Sequence, residues 1–293
     1  MPSLKEVRTR INSVISTKQI TSAMKMVSAA KLRRAQTSIL KLRPYSAKLN
    51  EILSRLKSSV GTAEEAVYFR QNKLNHVLLV IVTSNRGLCG AFNSNVIKLA
   101  LQTIREKYPE QQKNGQMSLL CIGKKGGEYF QRRKFQIVGQ NNQIFDQLTY
   151  ENSLQISSML MKAFVDGQYD RIEIIYNQFR NAAVQTLVCE QYLPVPEVKE
   201  AGNKIDQTEY IFEPDQASIV SELVPKTLKV QVYKALLDSF ASEHGARMTA
   251  MHKATDNADN ILKELRLTYN KARQASITKE ILEIISGANA LKG

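Results

Sequence analysis

Between Pro225 and Gly293 the apolar and small residues recur in steps of four and three: Leu237, Ala241, His244, Met248, Met251, Thr255, Ala258, Leu262, Leu265, Tyr269, Ala272 and Ser276. That spacing is the seam of a coiled coil. No Pro follows Pro225, and Gly245 is the one glycine before Gly287. The pattern predicts one helix of about 65 residues, roughly 95 Å long at ~1.5 Å per residue. After Ser276 the seam slips by one position to Ile277, Ile281, Ile284, Ala288 and Leu291. Such a slip relaxes the supercoil locally. A seam this long needs a partner helix, and the chain's own N-terminus is the candidate.

Residues 3 to about 58 show the matching pattern. Ser3 and Glu6 have the spacing of a capping box. Leu4, Val7, Ile11, Val14 and Ile15 form a stripe, which thins past Lys18 to Ala23, Met24, Val27 and Ala30. It resumes at Leu32, Ala35, Ile39, Leu42, Leu49, Ile52, Leu56 and Val60. Pro44 removes a backbone donor and is expected to bend the helix or loosen a turn. Ser58 to Gly61 is expected to end it.

The middle of the chain follows other rules. Residues 61–73 are polar and linker-like. His76 to Ser84 is a continuous apolar, β-branched run, as in a strand buried on both faces. A Gly-rich turn, NRGLCGAFN (85–93), leads to a helix over 94–108 capped by Asn93 or Ser94. Strands are predicted at 118–123, 135–139, 171–179 and 185–193, the last two as a hairpin around Asn181 and Ala182. Helices are predicted at 126–133 and 150–166, the latter with Leu154, Met159, Leu160, Ala163 and Phe164 inward. Residues 194–214 read as a Pro-rich loop, and 215–224 as a short helix ahead of Pro225. The alternation defines an α/β, Rossmann-like domain with a mostly parallel sheet. The expected organisation is an N-terminal helix over 1–60, an inserted α/β domain and foot loop over 61–214, and a C-terminal helix over 215–293. The two helices form a long antiparallel coiled coil.

Charge sharpens this division. The net charge is +14. Residues 1–60 carry 13 Lys and Arg against 2 acids, residues 61–225 carry 17 against 18, and residues 226–293 carry 11 against 7. The positive field belongs to the helices. Basic helices attract nucleic acid, anionic membranes or acidic protein surfaces. Interleaved aromatics or a recognition fold would favour nucleic acid, and neither is seen. No apolar run is long enough to span a bilayer. The three Cys, at 89, 121 and 189, are scattered, as in a reducing compartment. The three His lack metal-ligand spacing.

The candidate chemistry is sparse. A Gly-rich turn before a helix can hold phosphate, but residues 85–93 do not form GxGxxG. GKKGG (123–127) is not a Walker loop, and no acid/base constellation is evident. Asn85, Arg86 and Cys89 therefore read as fold-forming. From the residues alone, three readings stand open: a coiled-coil subunit that docks partners or transmits force, a basic nucleic-acid binder, and a dinucleotide enzyme.

Three blocks carry a resemblance: RINSVISTKQITSAMKMVSAAKLRRAQ (10–36), TSNRGLCGAFN (83–93) and SEHGARMTAMHKATDNADNILKELRLTYNKARQASITKEILEIISGA (242–288). With them, the whole chain resembles the gamma-subunit family of rotary F-type ATP synthases. The resemblance implies a rotor without a catalytic site of its own and without cofactor or metal. It turns as the central stalk inside a ring of three alpha and three beta subunits. The epsilon subunit and the membrane c-ring lie at its foot, and proton flow through the ring is coupled to ATP synthesis or hydrolysis.

The resemblance also implies site residues. Met24, Lys25 and Arg247 match positions near the acidic levers of the beta subunits. Arg273, Gln274 and Thr278 match a catch that binds a beta-subunit loop. Tyr210, Phe212 and Glu213 match the foot on the c-ring and epsilon, with Phe212 where some relatives have Tyr. The redox insert of the plastid form is absent, so thiol control is not expected. The opening Met without a leader points to a bacterial protein, held peripherally on the cytoplasmic side of the inner membrane.

Overall fold

A computed structural model of the chain describes residues 3–57, 66–70, 73–182, 184–196 and 216–290. Helix α1 runs over Leu4–Lys57 and helix α7 over Gln216–Ala290. Between them in sequence lie α2 (Ala66–Phe69), β1 (Val77–Val82), α3 (Phe92–Lys107), α4 (Pro109–Lys113), β2 (Met117–Ile122), α5 (Lys124–Arg132), β3 (Ile137–Asn141), a 3-10 turn at Gln143–Phe145, α6 (Tyr150–Val165), β4 (Arg171–Phe179) and β5 (Gln185–Leu193). The chain forms two compact units. One joins residues 1–29 to 247–293, and the other is residues 30–246. The division cuts through both long helices.

In the larger unit the strands form one sheet in the order β3-β2-β1-β4-β5. β1 pairs parallel with β2 and β4, β2 pairs parallel with β3, and β4 pairs antiparallel with β5. The apolar run of β1 is buried throughout because its side chains alternate between two cores. Val77, Leu79 and Ile81 pack with Val96, Ala100 and Ile104 of α3 and Phe130 of α5. Leu78, Val80 and Val82 pack with Ile156 and Leu160 of α6 and with Val224, Leu228 and Val232 of α7.

Several expectations change. The region read as linker contains α2, whose Tyr68 and Phe69 pack on the second of these cores. Helix α3 begins at Phe92 without a side-chain cap, because Asn93 is used elsewhere: its Oδ1 accepts from the Ser84 amide at 2.9 Å. In α6, Met159 is 48% exposed, and Ile156 and Met161 are buried in its place. The short helix 215–224 and the long helix are one element, with Pro225 inside it. Val224 and Leu228, each 2% exposed, sit on one face across the proline. Their burial against the sheet, worth about 1.5–3 kcal/mol per side chain, outweighs the lost backbone donor.

Helix α1 is also unbroken at its proline, Pro44. The carbonyl deprived of its donor there belongs to Leu40, which is 68% exposed and open to water. The stripe Leu32, Ala35, Ile39 and Leu49 is buried as expected. Gly245 of α7 marks a close approach: a Cβ there would stand 3.1 Å from the Ala182 carbonyl oxygen in the β4–β5 turn.

Candidate functional site

The smaller unit pairs the first half of α1 with the second half of α7. At its start the capping box is reciprocal: the Ser3 amide donates to Glu6 Oε2 at 3.0 Å, and the Glu6 amide donates to Ser3 Oγ at 3.2 Å. The helices are antiparallel. Lys18 Nζ stands 2.5 Å from Asp259 Oδ1, and one turn on, Thr21 Oγ1 lies 2.9 Å from Thr255 Oγ1.

Burial on α7 follows the predicted seam. Met251, Ala258 and Leu262 are buried, and Thr255, Leu265, Tyr269, Ala272 and Ser276 are half-buried. On α1 the seam is Leu4, Val7, Ile11, Val14, Lys18, Thr21, Lys25 and Ser28. Its middle is thus polar. Of the small and apolar residues expected there, Ala23 and Val27 are exposed, Val27 by 58%, and Met24 is half-buried beside the seam. Ile20 and Met26 are 60% and 65% exposed. Every residue from Ile277 to Asn289 is exposed. Carrying the Lys18–Asp259 register back to Leu4, the start of α1, reaches residue 273. The apolar residues Ile277, Ile281, Leu282, Ile284 and Ile285, 48–70% exposed, therefore lie past the end of the partner helix. The slipped seam is real in sequence but packs on nothing among the described residues.

Of the expected site residues, Met24, Lys25, Arg247, Arg273, Gln274 and Thr278 fall in this unit. Met24 and Lys25 are half-buried and Arg247 is 6% exposed. Arg273, Gln274 and Thr278 are exposed near the tip. Thr278 Oγ1 donates to the Gln274 carbonyl at 2.9 Å, which leaves its lone pairs facing outward. Tyr210, Phe212 and Glu213 lie outside the described residues. The polar seam was missed by sequence reasoning. A signal for it existed: continuing the 3-4 steps of Leu4, Val7, Ile11 and Val14 lands on Lys18, Thr21, Lys25 and Ser28.

The loops after β1 and β2 are stapled to each other, and at the second the amides that would hold a phosphate are taken. The first amides of α5 are already taken: Lys124 N donates to Asn85 Oδ1 at 3.0 Å, Lys125 N to the Ser84 carbonyl at 3.1 Å, and Gly126 N to Thr83 Oγ1 at 2.9 Å. Asn85 Nδ2 donates to the Asn142 carbonyl. Cys89 is 2% exposed and accepts from Asn93 Nδ2 at 3.3 Å. These residues staple loops together. Amides that would cradle an anion are committed within the protein. No described helix is long and apolar enough to cross a membrane.

Two long terminal helices that pair antiparallel, with a five-stranded mixed sheet between them in sequence, define a helical-stalk protein. The comparisons agree. A profile of the ATP synthase family matches residues 3–291. The chain is 53% identical to an ATP synthase gamma chain of Flavobacterium johnsoniae over 100% of both chains, and 52% identical to that of Cytophaga hutchinsonii over 99% of each. Among solved structures, a chain of the Euglena gracilis mitochondrial ATP synthase rotor has the same fold. The TM-score is 0.66 at 22% identity, covering 94% of this chain and 98% of that one. A central-stalk chain of the Tetrahymena thermophila mitochondrial enzyme matches with a TM-score of 0.57 at 24% identity, covering 80% and 99%. The chain belongs to the ATP synthase gamma-chain family.

Proposed function

We propose that this chain is the rotating central stalk of a bacterial ATP synthase. It couples proton flow through a membrane c-ring to ATP synthesis and hydrolysis in an alpha3beta3 ring. Residues 1–60 and 215–293 act as the shaft and residues 61–214 as the inserted domain and foot. The carrying observation is full-length identity above 50% to gamma chains. The exposed apolar end of α7 supports it, because a helix tip with Ile281 and Ile284 in water calls for a surrounding partner.

The chemistry then lies with the ring and the mechanics with this chain. The tip from Ile277 onward is the part that the ring encloses. Arg273, Gln274 and Thr278 offer a guanidinium, an amide and hydroxyl lone pairs on one exposed stretch, suited to directional bonds with a beta-subunit loop. Met24 and Lys25, both half-buried at or beside the seam, are assigned to the contact with the beta-subunit levers. Arg247 is nearly buried within the chain, which favours an indirect part in that contact. Tyr210, Phe212 and Glu213 are assigned to the foot on the c-ring, with epsilon beside them. Assembly onto the c-ring holds the chain peripherally on the cytoplasmic side of the inner membrane.

The test is rotation. Co-expressed with the alpha and beta subunits of the same organism, the chain is expected to co-purify as one copy per ring. A marker attached to the inserted domain is expected to turn in steps when ATP is added. An ATP-hydrolysing complex in which the marker stays still overturns the reading.

A further inference from the structure

Helices α1 and α7 and strands β4 and β5 meet at a buried carboxylate. Asp238 of α7 is 2% exposed, and its Oδ1 has no hydrogen-bond partner among the described residues. Arg43 Nη2, from α1, stands 4.0 Å away. That is too long for a hydrogen bond and close enough for an ion pair. The same nitrogen donates to the Phe179 carbonyl of β4 at 2.8 Å. Asn177, 3% exposed, has an amide nitrogen that is likewise unsatisfied among the described residues, and its carbonyl accepts from Ser242 Oγ at 3.1 Å.

The second acid of the cluster is treated differently. Glu190 Oε2 accepts from the Tyr176 hydroxyl at 2.9 Å, and Oε1 accepts from Gln231 Nε2 at 2.8 Å. Neutral donors thus satisfy Glu190, whereas Asp238 Oδ1 has no donor among the described residues and only the charges of Arg43 and Lys234 to offset its burial. Burial pushes the Asp238 carboxyl up to about 6, and the Glu190 charge adds to this. Arg43 and Lys234 pull the other way. Burial, with Glu190 and Asp238, also holds the Tyr176 hydroxyl protonated.

We propose that Asp238 and Arg43 form a proton-controlled clasp between α1 and α7. With Asp238 ionised, Arg43 is drawn toward α7 while bonded to Phe179, so α1, α7 and β4 are tied at one point. With Asp238 protonated, the attraction is gone. Arg43, whose side chain is 49% exposed, keeps only its bond to β4. The clasp belongs to the 30–246 unit and does not depend on the rotor assignment.

The sign of the pH effect separates the clasp from general acid behaviour. The folded state holds a proton on Asp238 that the unfolded chain gives up at a lower pH. Asp238 therefore makes the fold less stable as pH rises from the ordinary carboxylate range through about 6. Acid strengthens the fold at this residue yet loosens Arg43.

The experiment compares thermal midpoints of the full chain at pH 5 and pH 8 for wild type, Asp238→Asn, Arg43→Met and the double variant. Asp238→Asn is expected to gain several degrees at pH 8 and about half as much at pH 5. Arg43→Met is expected to lose more at pH 8 than at pH 5, and this pH-dependent part is expected to vanish in the Asp238→Asn background. An Arg43→Met loss that is equal at both pH values, or unchanged by Asp238→Asn, overturns the proposal. Carboxyl ¹³C titration of the Asp-labelled chain gives a readout that needs no unfolding. One signal titrating near pH 6, lost in Asp238→Asn and moved upward in Arg43→Met, is expected, and its absence overturns the clasp equally.

Discussion

Thr21 and Thr255 face each other across the antiparallel pair with hydroxyl oxygens 2.9 Å apart, and each also has a carbonyl of its own helix in reach. Thr255 Oγ1 lies 2.8 Å from the Met251 carbonyl and Thr21 Oγ1 lies 3.0 Å from that of Lys18. One proton therefore serves the seam and the other returns to its helix. The bond fixes register more than it adds stability, as a single polar pair does in other helical seams. Thr21→Val or Thr255→Val alone is expected to cost about 0.5–1 kcal/mol. The double Val variant is expected to recover the loss, because both hydroxyls leave together. Thermal or urea unfolding of the four proteins checks this, and a fully additive double loss contradicts it.

Lys18 and Asp259 sit one turn away, each about two-fifths exposed. Solvent weakens such a pair to about 0–1 kcal/mol. Lys18→Asp is expected to lower the unfolding midpoint slightly and more so at low salt. Adding Asp259→Lys is expected to restore it.

The tip offers a sharper contrast. Truncation after Ser276 removes only exposed residues of the described chain. Its thermal midpoint alone is expected to match the full chain, while retention of alpha and beta subunits through a salt wash falls. Arg273→Ala with Gln274→Leu is expected to behave in the same way, weakening retention more than either change singly. An equal drop in the midpoint of the isolated chain would make these residues part of its own fold instead.

Gly123 closes the turn between β2 and α5 at φ +100°, where a Cβ would stand 2.0 Å from the Thr83 carbonyl oxygen. Gly123→Ala is expected to destabilise by about 3 kcal/mol or more, since overpacking adds to backbone strain. Soluble yield and urea midpoint measure it.

Two thiols are silent for a physical reason. Burial raises Cys121 and Cys189 to about 12, and for Cys189 the carboxylate of Glu173, which accepts its Sγ–H at 3.0 Å, adds to the effect. At pH 8 neither thiol is expected to react with Ellman's reagent in the native chain. All three cysteines are expected to react after denaturation. Rapid native labelling of Cys189, found by peptide mapping, contradicts the placement.

Much of the fold was legible because packing and pattern agree. The two-face burial of β1 follows from VLLVIV, and the α7 seam follows from small and apolar residues at 4-3 spacing. Legibility failed where an apolar residue is off the seam and a polar one is on it. Ala23 and Val27 attract the eye, but Thr21 and Ser28 are the buried positions. It failed again at Pro225, a strong local stop that the burial of Val224 and Leu228 overrides. The exposed tip was half legible: its apolar content was evident, but its lack of a partner depends on where α1 starts. Of the site residues, Arg273 and Gln274 lie exposed, and nothing in their spacing marks them as a contact without the family resemblance.

The reversed polarity of α1 between Ile20 and Val27 has a practical outcome. Hydroxyls and amines are turned inward there, so Ile20, Met26 and Val27 form an oily collar turned to the solvent. A batch of this polypeptide made without companions will stick to itself along that collar and, at the far end, through Ile281 and Ile284. Its solubility should improve when the companions are supplied.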